Sequence, residues 1–285
     1  MLTYPRPSQT GNATAPTSIS PEYPRELIAD TAIAVTSPVH ISGELGRYGI
    51  RLAASEAERE AACRLRFKVF NIELGEGLIS SYSTGIDKDQ FDYVCDHLIV
   101  EDRSSGKVVG TYRMQSGGEA ARSFGYYSAR EFDFAAYEPL REQVLELGRA
   151  SVDCDHRSSE VLTLLWRGIA QYCRYRGLRY LIGCSSLNSQ DPAEGWAVYG
   201  QLQPFLASSQ FCTWPTPGYR LPTGSGQPQN SKIPKLLKTY IGVGARICGE
   251  PAWDREFGTI DFLTLLDLRQ LTPAARNRFL PDGEQ

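Results

Sequence analysis

The chain lacks several features that would place it in a well-defined class of protein. No stretch reaches the ~18 consecutive apolar residues of a membrane-spanning helix. The N-terminus has no basic segment followed by an apolar one, so a secretory signal peptide is not expected. The sequence has only three histidines and no Cys-x-x-Cys pair, which leaves no spaced ligand set for zinc. These absences favour a cytoplasmic protein without a metal.

Charge and cysteine content exclude further classes. The net charge of the 285 residues is −3, so bulk charge does not favour nucleic acid as a partner. Seven cysteines, an odd number, are typical of reduced thiols and not of a disulfide framework. With 41% hydrophobic and 22% charged residues, the composition is that of a globular protein with a sizeable core.

Proline content and hydrophobic periodicity divide the chain. Residues 1–44 hold six of the 17 prolines and little apolar periodicity, so we expect a flexible tail there. The patterns beyond it predict strands at 48–53, 97–101, 108–114, 144–152, 179–184 and 260–268, and helices after Ser55, Ser158 and Pro234. A strand, a crossover helix and a second strand imply a parallel pair. We therefore expect an α/β fold with a mixed, twisted central sheet flanked by helices.

A glutamate and an arginine stand in the apolar strand at 144–152. Glu146 and Arg149 are three residues apart and would point to opposite faces of a regular strand. A β-bulge at Gly148 would bring both toward one face and leave a backbone N–H for a carbonyl oxygen. One such oxyanion donor is typically worth ~3–4 kcal/mol to a tetrahedral intermediate. The alternative is a buried ion pair or a salt bridge to a neighbouring strand.

Two further charge sets lie upstream. Arg66 precedes Phe70 by one turn of an apolar helix and could hold a carboxylate beside an apolar channel. Its alternative role is to cover the core with its aliphatic stem. Asp89 and Asp92 could bind an ammonium group or a metal, or could form a solvated turn, and Arg113 could pair with either. If the three sets meet in space, they form a charged pocket typical of a functional site.

Basic residues also cluster on two predicted helices. Arg167, Arg174 and Arg176 follow the strand at 144–152, and Lys235 and Lys238 lie on the last long helix. Such a patch suits an acidic carrier protein or an anionic membrane surface. The alternative is that these basic residues lie on helix faces that contact only solvent.

Two other kinds of site are not supported. Cys-Asp-His occurs at residues 95–97 and 154–156, but no spaced ligand pair accompanies either, so we predict no metal site. Ser185 and Ser186 follow a strand without a Gly-x-Ser-x-Gly elbow, which argues against a serine hydrolase.

Six motifs follow one another in the first two thirds of the chain: LRFKVF (65–70), DQFDYVCDHLIV (89–100), VVGTYR (108–113), FGYYSAREFD (124–133), LELGR (145–149) and LLWRGIA (164–170). In this order they resemble the ornithine N-acyltransferase family, GNAT-like enzymes of bacterial aminolipid synthesis sometimes labelled hemolysin-like. The resemblance covers roughly residues 50–190 and resumes with KLLKTY (235–240) and FGTID (257–261). It implies a GNAT-like acyl-CoA N-acyltransferase fold over residues 45–285, with a C-terminal extension from about residue 190.

The family resemblance implies transfer of a fatty acyl group, often 3-hydroxyacyl, from acyl carrier protein to the α-amine of an amino acid such as ornithine. The product would be a lyso-aminolipid or an N-acyl amino acid. The donor would be acyl-phosphopantetheine, and no permanently bound cofactor is implied. A more distant similarity is to acyl-homoserine lactone synthases, whose charged cluster matches Arg66, Phe70, Asp89, Asp92, Arg113, Glu146 and Arg149. This similarity joins the three charge sets in one site.

Two segments depart from the expected pattern. The Arg/Gln-x-x-Gly-x-Gly/Ala loop that holds the diphosphate of acetyl-coenzyme A is replaced by DCDHRSS (153–159). An acidic loop without glycine is a poor cradle for a diphosphate, which favours a carrier-protein thioester over coenzyme A. Residues 195–199, GWAVY, have no histidine where the ornithine enzymes commonly carry one. The amino-acid acceptor therefore stays open.

These observations predict a mechanism in which Glu146 takes a proton from the acceptor amine and a backbone N–H near Gly148 holds the oxyanion. The acceptor would be oriented by Arg66, Asp89, Asp92, Arg113 and Arg149. Acyl-homoserine lactone synthesis is an alternative, although the C-terminal extension is long and Glu76 replaces a Trp-type position. A non-catalytic protein that binds a carrier or the inner face of the membrane is a third interpretation.

Overall fold

The structure is a computed structural model that describes residues 39–223 and 231–279. The described residues contain one mixed sheet of nine strands. The strands are β1 (Gly43–Leu45), β2 (Tyr48–Leu52), β3 (Asp96–Asp102), β4 (Lys107–Ser116), β5 (Val144–Val152), β6 (Tyr180–Leu187), β7 (Arg246–Ile247), β8 (Ala252–Asp254) and β9 (Thr259–Asp267). They lie in the order β1-β2-β3-β4-β5-β6-β9-β7, with β8 paired to β9.

Six α-helices accompany this sheet in the described ranges. They are α1 (Glu56–Phe67), α2 (Gly117–Arg122), α3 (Ser159–Arg176), α4 (Pro192–Leu202), α5 (Lys235–Val243) and α6 (Pro273–Phe279). The β5–α3–β6 unit is parallel, and every other pair in the sheet is antiparallel. This confirms the expected α/β fold with a mixed sheet flanked by helices.

Helix α3 covers one face of the sheet. Ser158 caps its first turn by accepting a hydrogen bond from the Val161 N–H, and Gly177, with φ of 69°, ends it in the left-handed conformation. Leu98 and Val100 of β3 pack in the same core cluster as α3. Ile99 between them is equally buried, so the opposite face of β3 is covered as well.

Helix α1 packs against β4 and β5 and then changes its winding. Ser55 caps its start as the sequence predicted. Residues Lys68–Leu74 continue as a π-helix, in which each turn takes an extra residue. Spacing along a regular helix would place Ile72 on the same apolar face as Leu65 and Val69, but after the change of winding Ile72 is 61% exposed.

A β-bulge interrupts the pairing of β4 with β5. Thr111 pairs with Ser151, whereas Arg113 pairs with Gly148, so Arg149 and Ala150 together oppose a single residue. The residue in the left-handed region is Arg149, with φ of 54°, and not the glycine before it. The bulge is where the sequence predicted one, displaced by one residue toward the C-terminus.

Strands β5 and β6 part soon after they meet. In the described chain their parallel pairing ends at Glu146 and Ile182, although β5 runs on to Val152 and β6 to Leu187. Just beyond the last pair, a Cβ atom on Gly183 would overlap the carbonyl oxygen of Leu147. The glycine thus permits the closest approach of the two strands at the point where they begin to diverge.

The folded residues include the end of the predicted N-terminal tail and the predicted C-terminal extension. Ile41 is 3% exposed and Gly43–Leu45 forms β1, so the last residues of the predicted tail belong to the fold. Residues 1–38 of that predicted tail lie outside the described residues. The C-terminal extension supplies β9, which pairs with β6 from Tyr180 to Leu187, and is therefore an integral part of the sheet.

Candidate active site

A cavity of about 200 Å³ opens where β5 and β6 part. One end is apolar and is lined by Trp166 of α3, Tyr240 of α5 and Leu266 of β9. The other end is lined by charged side chains, among them Glu146 and Arg149 of β5. A site of this kind combines an apolar channel with a few convergent polar groups, as ligand pockets generally do.

Arg66 anchors a buried network of arginine and aspartate. Its side chain is 1% exposed, and its Nε donates to Asp87 Oδ2 at 2.8 Å. Its two Nη atoms donate to the two carboxylate oxygens of Asp92, at 2.6 and 3.1 Å. Burial alone would raise the pKa of Asp92, but the charges of Arg66 and Arg113 hold it well below its usual range.

Arg113 and Arg149 extend this network to the cavity. Arg113 Nη1 donates to Asp89 Oδ1 at 2.7 Å, and Arg149 Nη2 donates to Asp89 Oδ2 at 3.4 Å. Both guanidinium groups lie 5.0 Å from the ring of Tyr127, whose hydroxyl accepts from Arg149 at 3.3 Å. The network thus contains three arginines and three aspartates, and its formal charges balance. The contacts of Arg149 with Asp87 and Asp89 are long, at 3.3 and 3.4 Å, so this guanidinium group retains donors for a ligand.

Glu146 is held by the backbone of the segment before β5. Its two carboxylate oxygens accept hydrogen bonds from the N–H groups of Tyr127 and Ser128, at 2.7 and 2.8 Å. Burial raises the pKa of Glu146, and these hydrogen bonds offset that rise in part. A fixed carboxylate with a raised pKa on a cavity wall is suited to proton transfer.

A second set of acids also lines the cavity, and the sequence analysis missed it as a site. Glu76 follows the π-helix, Asp254 ends β8, and Asp261 lies in β9. Glu131, behind them, shares a hydrogen bond with Asp261. Burial and neighbouring like charges raise the pKa of Glu76 to about 7 and that of Asp261 to about 6. The signal available in the sequence was an aspartate within an otherwise apolar strand at 260–268.

The structure separates the predicted site residues into two groups. Those that line the cavity are Phe70, Arg113, Glu146, Gly148 and Arg149. Arg66, Asp89 and Asp92 lie behind the wall and contact the lining arginines instead. The structure thus joins the three charge sets, together with Asp87, which the sequence analysis did not single out.

Phe70 closes the polar end beside Arg149. The π-helix places its ring 5.4 Å from that of Phe257, in an edge-to-face contact. The guanidinium carbon of Arg149 lies 4.4 Å from the centre of the same Phe257 ring. These aromatic contacts fix one face of Arg149, since cations and ring faces attract.

The predicted carrier-binding residues are also divided. Lys235 and Lys238 are exposed on α5 and flank Leu236, which lines the cavity and is 44% exposed. Arg167, Arg174 and Arg176 lie on α3 and do not line the cavity. The α5 lysines are therefore close in sequence to an exposed lining residue, whereas the lining residue that α3 supplies, Trp166, is buried.

Three groups of side chains bring possible metal-ligand atoms within 4.8 Å of one another. They are Cys63, Asp92 and His97; Glu131, Cys184 and Asp261; and Asp153, Cys154 and Asp155. In the first group Asp92 already contacts two arginines, which disfavours a further cation. The second group belongs to the acids of the cavity. The absence of a metal site remains a prediction.

Comparison with known proteins places the chain in a family. Residues 65–167 match a family model described as an acetyltransferase (GNAT) domain. The chain is 31% identical over 264 residues to an L-ornithine N(alpha)-acyltransferase of Brucella abortus, covering 84% of this chain and 94% of that protein. It is 29% identical over 249 residues to the enzyme of the same name from Rhodobacter capsulatus, covering 80% of this chain and 93% of that protein.

Solved structures with similar folds include an N-acyl amino acid synthase, FeeM, from uncultured soil microbes. The TM-score is 0.49 at 13% identity, over 83% of this chain and 97% of that one. The acyl-homoserine lactone synthase LasI gives a TM-score of 0.47 at 10% identity, over 82% of this chain and 94% of that one. In the described ranges, none of the helices has the length and apolar character needed to cross a membrane. On the sequence identity and coverage given above, the chain belongs to the L-ornithine N(alpha)-acyltransferase family and is an acyltransferase with a GNAT domain.

Proposed function

We propose that this protein transfers a fatty acyl group from acyl carrier protein to the α-amine of ornithine. The observation that carries the proposal is the cavity between the parted strands, apolar at one end and charged at the other. Such a cavity has room for an acyl thioester to meet a zwitterionic amine at the gap in the sheet. The names of the curated relatives support ornithine as the acceptor.

The apolar end would receive the acyl chain. Trp166, Tyr112 and Tyr240 surround it, and Leu147 and Leu266 line it from the flanking strands. An alkyl chain that leaves water for this space gains roughly 0.8 kcal/mol per buried methylene. The apolar lining therefore supports a fatty acyl group as donor.

The reaction would proceed by direct attack of the amine on the thioester carbonyl. Glu146 takes a proton from the acceptor ammonium, and the free amine forms the new C–N bond. A backbone N–H of β5 near Gly148 stabilises the oxyanion, because that edge of β5 has lost its pairing with β6. The C–S bond then breaks, the leaving thiolate takes the proton held by Glu146, and the nitrogen of the new amide loses its second proton to solvent. No covalent enzyme intermediate is required.

Arg149 would bind the carboxylate of the acceptor. It lines the cavity, and its side chain is held by Asp87 at 3.3 Å and Asp89 at 3.4 Å. Arg113 lies beside it and adds positive potential. Arg66 and Asp92 act as positioning residues, since they contact the network without lining the cavity.

Two features support a carrier protein as donor. In the loop before α3, Asp153 accepts from the N–H of Asp155, and Ser158 accepts from the N–H of Val161. These side chains occupy backbone donors that a diphosphate would need. On α5, Lys235 and Lys238 are exposed near Leu236, an exposed lining residue of the cavity, and would attract an acidic carrier.

The test is thiol release from acyl carrier protein against a panel of amino acids, with products identified by mass. We expect an N-acyl amino acid product, and we expect Glu146→Gln to lower turnover by orders of magnitude. Glu142→Gln, an exposed residue just before the same strand, is the matched control and should retain activity. Unchanged turnover in Glu146→Gln would remove Glu146 from the mechanism. A lactone formed from S-adenosylmethionine, or carrier binding without thiol release, would refute the proposed reaction.

A further inference from the structure

The acids at the polar end of the cavity differ from those of the arginine network. Asp87, Asp89 and Asp92 each lie within 3.5 Å of an arginine nitrogen. Glu76, Asp254, Asp261 and Glu131 form no ion pair with any residue in the described ranges 39–223 and 231–279. Four acids thus share a buried space without a neutralising contact.

Asp261 provides an independent sign that a ligand belongs there. The residue is 5% exposed, lines the cavity, and has an Oδ1 atom without a hydrogen-bond partner in the described chain. Buried carboxylate oxygens in folded proteins almost always have a partner, because desolvation without one is costly. An oxygen left in this state on a cavity wall is suited to accept a hydrogen bond from a ligand.

We propose that Glu76, Asp254 and Asp261 form a subsite for the side-chain ammonium of a diamino-acid acceptor, with Glu131 supporting Asp261 from behind. This inference rests on the proposed function, since it assumes an amino acid whose α-amine lies near Glu146. Glu146 and the three acids line the same cavity, so the three-methylene side chain of ornithine would lie within it. The subsite would select acceptors with a second amine.

The raised pKa values of Glu76 and Asp261 are those expected of carboxyl groups without a counter-ion. The pKa of Glu76 is raised to about 7 by burial and by Asp261, and Arg149 offsets this rise in part. The pKa of Asp261 is raised to about 6 by burial and by Asp254, whereas hydrogen bonds from Ser186, Thr259 and Glu131 oppose the rise. An ammonium ion bound among them would favour the ionised forms, so binding should release protons.

A metal ion is a less suitable occupant than an ammonium group. Glu131, Cys184 and Asp261 approach within 4.8 Å, and a metal bound there would need the Cys184 thiolate. Burial and the neighbouring acids raise the pKa of Cys184 well above its usual value, so a metal ion bound there would have to displace a tightly held proton. An ammonium group needs only oxygen acceptors, which this space supplies.

The test compares ornithine with norvaline, which has the same carbon skeleton but no terminal amine. We expect the native enzyme to prefer ornithine by at least about 100-fold in kcat/KM. Asp261→Asn and Glu76→Gln should each reduce kcat/KM for ornithine by about 100-fold or more, while norvaline turnover stays the same or rises. Asp267→Asn is the matched control, because Asp267 lies in the same strand but pairs with Arg179 away from the cavity.

Different outcomes contradict the inference and the proposed function. Native enzyme that acylates ornithine and norvaline equally, or variants that lose both activities in proportion, would overturn the subsite and leave the reaction intact. Native enzyme that acylates no amino acid would overturn the reaction, and calorimetry at pH 6.5 would then test the subsite directly. Ornithine binding that releases protons in the native protein, and does not do so in Asp261→Asn, would support the subsite. The absence of ornithine binding to the native protein would overturn it. Activity that requires an added divalent metal and is lost with a chelator would assign the acids to a metal instead.

Discussion

Nε of Arg149 lies 3.3 Å from Oδ2 of Asp87, an aspartate with no exposed side-chain surface. The same oxygen accepts a hydrogen bond from Arg66 at 2.8 Å, so Asp87 links the arginine at the cavity wall to one in the core. Arg149 stands at a bulge, in a backbone conformation that non-glycine residues rarely adopt. The carboxylate of Asp87 is thus one of the contacts that hold the cavity arginine in place.

Replacement of Asp87 by asparagine should lower both stability and activity. The change leaves two buried guanidinium groups short of one counter-charge, and breaking a buried ion pair in this way costs about 3–5 kcal/mol of unfolding free energy. Denaturant unfolding at pH 7 measures this loss. Glu60→Gln, which removes an exposed pair with Arg64, should cost less than about 0.5 kcal/mol. Equal losses in the two variants would show that Asp87 does not anchor the network.

Replacement of Gly183 by alanine should disturb the point where the two strands diverge. The new Cβ atom would overlap the carbonyl oxygen of Leu147, so β5 and β6 would have to shift. We expect a loss of about 2–4 kcal/mol in unfolding free energy and a large fall in acyl transfer. Gly200→Ala in α4, where nothing lies within 4 Å of the new atom, should be neutral or stabilising by up to about 1 kcal/mol. Normal activity in Gly183→Ala would contradict the importance of this contact.

Replacement of Asp261 by asparagine should stabilise the protein at high pH. In the folded state the pKa of Asp261 is raised from 3.8 to about 6, so the folded protein keeps this proton to a higher pH than the unfolded chain does. The contribution of Asp261 to stability therefore falls as the pH rises from about 4 to 6, and the full cost is present above pH 6. Asparagine does not ionise, so the variant should gain on the order of 1–3 kcal/mol at pH 8 and nothing near pH 4.

Thermal unfolding of Asp261→Asn and native protein across pH 4–8 gives this difference. Asp267→Asn should behave in the opposite way, because the hydrogen bond from Arg179 lowers the pKa of Asp267. That variant should lose a small amount of stability at pH 8, and the loss should persist down to about pH 4, because the lowered pKa of Asp267 lies below that range. If Asp261→Asn is less stable than the native protein at pH 8, then Asp261 is not a buried carboxyl group without a neutralising contact.

Charge reversal on α5 should weaken the use of acyl carrier protein. The double substitution Lys235→Glu, Lys238→Glu places negative charge near the exposed lining residue Leu236, where we propose that an acidic carrier binds. We expect KM for the acyl-carrier donor to rise roughly tenfold or more, with little change in kcat. Lys107→Glu, an exposed residue at the start of β4, is the control. An unchanged KM in the double variant would place the carrier elsewhere.

Local signals in the sequence predicted much of the fold. Ser158 and Gly177 bound α3 as their cap preferences indicate, and the turn at 103–106 joins β3 to β4 in a hairpin. The parallel pair of β5 and β6 followed from the strand–helix–strand order. The π-helix at Lys68–Leu74 was not predicted, because its apolar periodicity differs little from that of a regular helix over so short a stretch.

The site was only partly predictable, for a physical reason. Glu146 and Arg149 stood out because charges in an apolar strand need a partner or a use. Asp87 lies in a polar stretch, where an aspartate carries no such signal, and only its contacts in three dimensions show that it is buried. Glu76 and Asp261 are far apart in sequence, so their shared lack of a counter-charge becomes visible only when the chain is folded.

The two walls of the cavity come from distant parts of the chain. The wall that would carry the acyl-transfer chemistry is β5, whereas Asp254 and Asp261 belong to β8 and β9 near the C-terminus. Substitutions at Asp254 or Asp261 would therefore change the proposed amine-facing surface without replacing any residue of β5. An ancestral enzyme with this arrangement could acquire new amine substrates through its last strands while its reaction stayed the same.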